Sequence, residues 1–397
     1  MSHTRAKPDL PVILLSLAAL FSISLLLQNQ FSLKSSLLFI IGIGLGISLL
    51  HAAYGFSGAW RDFIRKHKSR GFRSHIWLIA LTSVIFFPII GGAFSELQAS
   101  AALAPIGLSV AIGAFIFGIG MQLGGGCGSG TLFTVGGGHV NMLVTLMFFI
   151  IGATVGSVHL GWWLSLPDIG KVSTIISFGW LPALLLQLTL LTILYFLLRK
   201  LEHNKHGKIQ PLIQPITEQS FLQQLIFGPW PLWWAVVSLT ILNLFIMLLA
   251  GHAWSITFAF GLWGTKIWTA MGGDISTWTY WASGYPARAL NNSVLADTTS
   301  IINFGIIAGA ILAAALAGHF APEKTITKRL LLISVIGGLC LGYGARLAFG
   351  CNIGGLLAGM ATGSLHGWLW LVTGFAGAIA GVYLRIWLKL DKPVKAL

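Results

Sequence analysis

Ten apolar stretches of roughly membrane-crossing length succeed one another along the chain, at 12–28, 36–54, 75–94, 102–121, 140–160, 176–199, 232–251, 298–319, 330–347 and 366–388. The hydrocarbon layer of a bilayer is about 30 Å thick and takes roughly 20 apolar residues of helix. The pattern therefore predicts an all-α polytopic membrane protein with about ten transmembrane helices. Several segments do not fit that mould. Residues 121–139 and 348–365 are apolar but too rich in glycine for a stable helix interior. Residues 254–271 carry an isolated Lys266, and 272–297 are polar, with Asp274, Pro286, Arg288 and Asp297. Irregular backbone at membrane depth survives only where protein or a watery cavity surrounds it, so the glycine-rich segments are expected to be broken or re-entrant helices.

Composition agrees. Of 397 residues, 56% are hydrophobic and 9% charged, and the mean hydropathy is +0.85. A soluble globular protein carries about 25% charged residues, so a soluble enzyme is excluded. The net charge is 24 − 10 = +14. Nineteen of the 24 basic residues cluster in 5–7, 61–73, 199–208, 323–329 and 385–395, beside apolar stretches. That is the signature of the positive-inside rule rather than of a nucleic-acid surface. Ten spans with both termini cytoplasmic put every internal basic segment on the cytoplasmic side. The run at 12–28 lacks a small-residue cleavage site and leads into a second span, so it reads as a first span and not as a leader.

The chain also matches itself. Residues 111–127 (AIGAFIFGIGMQLGGGC) align without gaps to 335–351 (VIGGLCLGYGARLAFGC), an offset of 351 − 127 = 224. Seven positions are identical, including Cys127/Cys351, in a chain with only three cysteines. Gly152/Gly377 and Gly156/Gly381 continue the match on the next helix at a one-residue shift. The helix entering the first motif runs outside to inside and the one entering the second runs inside to outside. This predicts two pseudo-symmetric, inverted halves: 1–200 with its glycine-cysteine motif at 111–138, and 232–397 with its motif at 335–365, joined by a cytoplasmic linker at 201–231. Inverted repeats commonly hold a substrate between interrupted helices at the bilayer midplane.

The candidate binding segments are Gly126, Cys127, Gly128, Ser129 and Gly130 in one half, and Gly350, Cys351, Asn352 and Gly354 in the other. Glycine turns present free N–H groups that hold an anion without a full charge, and moderate binding suits conduction. A thiol adds a weak, polarizable donor, a soft partner for sulfur or selenium. Cys340, mid-helix and aligned with Ile116, reads as a small apolar residue, with a pathway role as the alternative. Arg346, five residues before Cys351 and aligned with Gln122, either attracts a divalent anion or else snorkels or caps local carbonyls. Lys266 and Arg288 either form an outer cationic vestibule or pair locally with Asp274 and Asp297. His139 and His366 read as hydrogen-bonded residues at helix ends. No phosphate loop, metal framework or haem-attachment motif is present, so neither an ATP-driven pump nor a cofactor is expected.

LGGGCGSGTLF and GYGARLAFGCNIGGLLAGMATGSLHGWLW together resemble the YeeE/YedE family, the sulfur-transport domain of bacterial membrane proteins, over nearly the whole chain, and the second motif resembles its longer YedE branch. The resemblance implies a transporter rather than an enzyme. It would import thiosulfate across the bacterial cytoplasmic membrane through an hourglass-shaped helical protein, with Cys127 and Cys351 touching the ion through thiol hydrogen bonds. The chain departs from the family pattern in HAAYGFSGAWRDF, where Gly55 stands at the place of a further cysteine. The YedE branch is linked to selenium metabolism, which makes a selenium-containing compound the alternative cargo. A further alternative is a sulfur relay through a cysteine persulfide, which would need a cytoplasmic sulfurtransferase partner.

Overall fold

The computed structural model describes residues 7–213, 220–320 and 327–391. Arg5, Lys324, Lys392 and Lys395 of the basic segments, and part of the linker, lie outside the described residues. The first half contains α1 (Leu10–Gln30), α2 (Leu33–His51), α3 (Phe56–Lys66), α4 (Arg70–Ile90), α5 (Leu108–Leu123), α6 (Gly128–Gly136), α7 (Val140–Leu164), α8 (Thr174–Phe178) and α9 (Trp180–His206). After α10 (Phe221–Phe227) come α11 (Leu232–Ala250), α12 (Thr257–Ala270), α13 (Gly284–Asn291), α14 (Thr298–Leu316), α15 (Lys328–Leu347), α16 (Ala358–Ala361) and α17 (His366–Trp387). Ten segments among the described residues are long and apolar enough to span a bilayer, one for each apolar stretch of the sequence. The protein is an all-α polytopic membrane protein.

Element boundaries differ where local chemistry overrides hydropathy. The apolar run at 102–121 does not start as helix. Pro105 lacks an N–H, and Pro105–Gly107 forms a short strand pairing antiparallel with Asp168–Lys171. Within 254–271, Thr257–Ala270 forms α12, whose 14 residues extend about 21 Å, short of a full span. Both glycine-rich segments break their helices as expected. After α5 the chain turns at Gly124–Cys127 before α6. After α15 it turns at Ala348–Cys351 into the π-helical turn Asn352–Leu357 and then α16.

Glycines set how the long helices pack, because backbones approach closely only where no β-carbon intervenes. On α5 and α15, a β-carbon at Gly113 would stand 2.6 Å from Leu347 Cβ, and one at Gly120 2.7 Å from Leu341 N. Residue numbers thus rise along one helix as they fall along the other, so the pair is antiparallel. α15 also packs on α7, and α5 on α17. A β-carbon at Gly118 would stand 2.2 Å from Gly374 O, and one at Gly342 2.1 Å from Phe149 O. These two contacts correspond under the offsets of the sequence match, 342 − 118 = 224 and 374 − 149 = 225. In the same way α2 lies against α14 and α11 against α4, while α3 touches α17 and α12 touches α7.

One end of the bundle is fastened by charge. Arg73 and Glu202, both almost fully buried, pair at 3.1 Å. Ser69 donates through its N–H and its hydroxyl to the same carboxylate oxygen, and Gln210 N–H donates to the other. This joins the α3–α4 turn to the end of α9. Nearby, Asp391 accepts two hydrogen bonds of 2.9 Å from Arg385 and faces Arg65 at 3.3 Å. The Arg385 bonds hold its carboxyl below the ordinary range. Removing one partner of a buried pair strands the other, so Glu202→Ala is expected to cost roughly 3–5 kcal/mol. An unchanged melting temperature in detergent would show that this cluster fastens nothing.

Candidate functional site

The two cysteines cap the two short helices with nearly the same backbone angles. Cys127 has φ −91° and ψ −167°, and Cys351 has φ −88° and ψ −165°. Cys127 Sγ accepts the Gly130 N–H at 3.4 Å and lies 3.4 Å from Ser129 Oγ. Cys351 Sγ accepts the Ile353 N–H at 3.4 Å. Both thiols are free and buried. Two residues earlier each chain takes a left-handed conformation, at Gly125 (φ +80°) and at Phe349 (φ +57°). Glycine does this freely, whereas a side chain such as Phe349 meets a penalty of about 1–2 kcal/mol.

The two turns meet. A β-carbon on Gly128 would stand 2.8 Å from Cys351 Sγ and 3.6 Å from Ile256 Cγ2, so the second thiol rests on the backbone immediately after the first. Gly350 is held against its own helix, where a β-carbon would be 2.3 Å from Gly355 N. Gly354 faces Ser255, whose Oγ is 3.2 Å from the β-carbon position. Asn352 is fully buried, and neither its amide oxygen nor its amide nitrogen has a hydrogen-bond partner. The π-helical turn loosens this end further, since the Cys351 carbonyl accepts from both Gly355 and Leu356.

One chamber adjoins each of the two turns. One, of about 390 Å³, has Gly125, Gly126 and Cys127 in its wall along with Tyr54, Ser57 and His75, and it reaches the exposed Lys68 and Asp62. The other, of about 70 Å³, is lined by Ser255, Thr257, Phe258, Tyr280, Arg346 and Phe349. Gly55 lines the larger chamber with open space beside it. A β-carbon there would meet only Phe133 Cζ, at 3.9 Å.

The charged candidates separate. Arg346 is buried, its Nε and Nη2 have no acceptor, and its guanidinium carbon lies 4.4 Å from the centre of the Tyr280 ring and 5.5 Å from that of Trp281. It caps no carbonyl through those two nitrogens. Its counterpart Gln122 is satisfied, accepting from Arg61 Nε at 3.1 Å and donating to Ser57 O. Lys266 donates to the carbonyls of Leu290 and Asn292, both at 2.6 Å, and so fixes the end of α13. Arg288 is exposed. Neither expected carboxylate pairs with them: Asp274 accepts from Ser276, and Asp297 caps α14 and accepts from Tyr285. Cys340 packs on α5, its Cβ 2.8 Å from the β-carbon position of Gly120. His366 hydrogen-bonds Ser364, and His139 precedes α7 at the surface. Among the described residues no cluster of metal-ligating side chains occurs.

The sequence reading missed the chamber walls supplied by α3 and α12. Their signal was a polar start, Gly55-Phe56-Ser57 and Ser255-Ile256-Thr257, directly after an apolar span.

The profile of the sulphur transport family matches residues 51–380, from the end of α2 to late in α17, and so takes in both cysteine turns. The chain belongs to the sulphur transport family. Its relatives in that family include a thiosulfate transporter, TsuA, of Spirochaeta thermophila, 26% identical over 345 residues that cover 83% of this chain and 92% of the relative. TsuA of Escherichia coli is 25% identical over 368 residues, covering 89% and 94%. A probable transporter of Escherichia coli, YedE, is 27% identical over 161 residues, covering 41% and 39%. Sulphur-transport membership makes the chain one of a family whose named relatives are transporters.

Proposed function

We propose that this protein imports thiosulfate, or a closely related sulfur compound, by passing it between Cys351 and Cys127. The observation that carries this reading is the septum. Two buried thiols cap opposed broken helices, with Cys351 Sγ against Gly128; Cys127 is in the wall of the larger chamber, and Phe349, two residues before Cys351, is in that of the smaller. Each thiol can donate an S–H hydrogen bond to a soft sulfur atom. The surrounding glycine N–H groups and the unpartnered amide of Asn352 suit the oxygens of the same ion. The named relatives TsuA support thiosulfate as the cargo. The two halves, 1–200 and 232–397, are read as inverted repeats about an axis in the membrane plane, supported by the reciprocal glycine contacts and the antiparallel α5–α15 pair. The basic 61–73 segment beside the larger chamber supports a cytoplasmic side for that chamber and an outer side for the Arg346 chamber. The membrane is then the bacterial inner membrane, with both termini in the cytoplasm.

The test is uptake into vesicles reconstituted with purified protein, comparing thiosulfate, sulfate, sulfite and selenite. Thiosulfate is expected to enter well ahead of sulfate, because sulfate is a tetrahedral dianion without a soft terminal sulfur. Equal rates for the two would remove the thiols from the selectivity argument. Selenite ahead of thiosulfate would identify a selenium compound as the cargo.

A further inference from the structure

Arg346 carries a full charge that no side chain among the described residues balances in an ion pair. It makes no ion pair, two of its nitrogens are buried without acceptors, and the two aspartates nearest in sequence to the outer segment are occupied elsewhere. An intramembrane guanidinium in that state is unfavourable unless something else supplies negative charge. The faces of Tyr280 and Trp281 supply part of it, but a ring face leaves the N–H donors unfilled. Arg346 helps line a cavity of about 70 Å³ that also has Ser255 and Thr257 in its wall. Ser255 in turn lies against Gly354 of the Cys351 turn.

We propose that this chamber is an anion-capture site, in which Arg346, backed by Tyr280 and helped by Ser255 and Thr257, binds a small tetrahedral dianion before it meets the thiols. The site reads charge and shape and not sulfur, so sulfate binds there as well as thiosulfate. Discrimination follows at the cysteines. The matching position in the other half is Gln122, an uncharged residue whose amide already holds Arg61 and Ser57. An ion that crosses the septum therefore leaves an unpartnered buried guanidinium for a chamber whose lining cations, Lys68 and Arg70, are not buried and stand with Asp62. This asymmetry favours capture on the Arg346 side and release on the other. The step from capture to uptake rests on the transport reading above, whereas the binding itself does not.

The experiment uses the full chain in detergent and follows tryptophan fluorescence, with Trp281 beside the guanidinium as a reporter, and the melting temperature. Thiosulfate and sulfate are titrated separately. Both are expected to change the fluorescence and raise the melting temperature of the wild type. In Arg346→Gln both affinities should fall at least about tenfold, the worth of one charge-assisted hydrogen bond, and Arg346→Lys should recover part of the loss. Ligand-free Arg346→Gln should melt no lower than wild type, because it sheds an unbalanced buried charge. A purely structural arginine would give the opposite result. Wild-type affinity in Arg346→Gln, or a lower melting temperature in it with no change in binding, overturns the site. Should that variant not fold, Ser255→Ala with Thr257→Val must weaken both anions, and unchanged binding overturns the site equally. Arg346-dependent binding without vesicle uptake would sink the transport reading alone. Uptake whose half-saturation ignores Arg346→Gln would sink the capture site alone.

Discussion

Cys127→Ala and Cys351→Ala are each expected to abolish uptake while leaving a folded protein. Each substitution removes one sulfur from a fully buried position. By apolar area alone that costs about 1 kcal/mol, a tolerable loss for a bundle of this size. The capping role adds little, since the thiol accepts its N–H at 3.4 Å and sulfur is a weak acceptor. Transport is a different matter. Cys351 Sγ lies on Gly128, so on the proposed route an ion crosses by exchanging one hydrogen-bond donor for the next. Losing either thiol leaves a step with an apolar methyl on one side and a desolvated dianion on the other. Vesicle flux with matched protein amounts is the measurement. Wild-type flux in either alanine variant would mean that the ion travels elsewhere. Serine at either position keeps a donor but a hard one, and is expected to restore some flux while narrowing the gap between thiosulfate and sulfate.

Much of this arrangement was legible in the sequence. Glycine density marked both broken helices, and the 224-residue offset marked the cysteines as a pair, because these are local and repeated signals. Contacts across the chain were not legible. Nothing in 121–139 indicates that Cys351 settles on Gly128, and nothing near Arg346 indicates Tyr280 beneath it, since such neighbours are set by helix packing over long sequence separations. The 56–66 segment was hidden by its own charge. Its two arginines and its lysine mark it as a cytoplasmic loop, yet Phe56, Trp60 and Phe63 form a buried stripe and His75 stacks on Phe56 at 3.8 Å between ring centres. An amphipathic helix of 11 residues is too short and too basic to register as a span, which is why one wall of the larger chamber escaped notice. The early start assigned to the fourth span fails for a related reason. Hydropathy sees apolar side chains at 102–107, whereas Pro105 decides the backbone.

Leucine at Gly118 or at Gly342 is expected to prevent assembly, and to do so in both halves alike. Each glycine sits where a β-carbon would overlap a carbonyl oxygen of the crossing helix, Gly374 O at 2.2 Å and Phe149 O at 2.1 Å. Neither obstacle is a flexible side-chain tip, so relief requires α5 and α17, or α15 and α7, to move apart along their length. That forfeits close backbone packing, which holds membrane helices together in place of a hydrophobic drive. The loss should exceed the roughly 1–3 kcal/mol of ordinary overpacking. Gly44→Ala is the control, because its β-carbon would meet only the Leu242 side chain, at 3.2–3.9 Å, which can turn aside. The readout is the yield of monodisperse protein after detergent extraction, together with its melting temperature. Collapse of both leucine variants with survival of the control is the expected result. Collapse of one leucine variant and near-normal behaviour of the other would show that the two crossings are not energetic equivalents. The halves would then not be reciprocal copies about the cysteine septum in energetic terms, whatever the sequence match suggests.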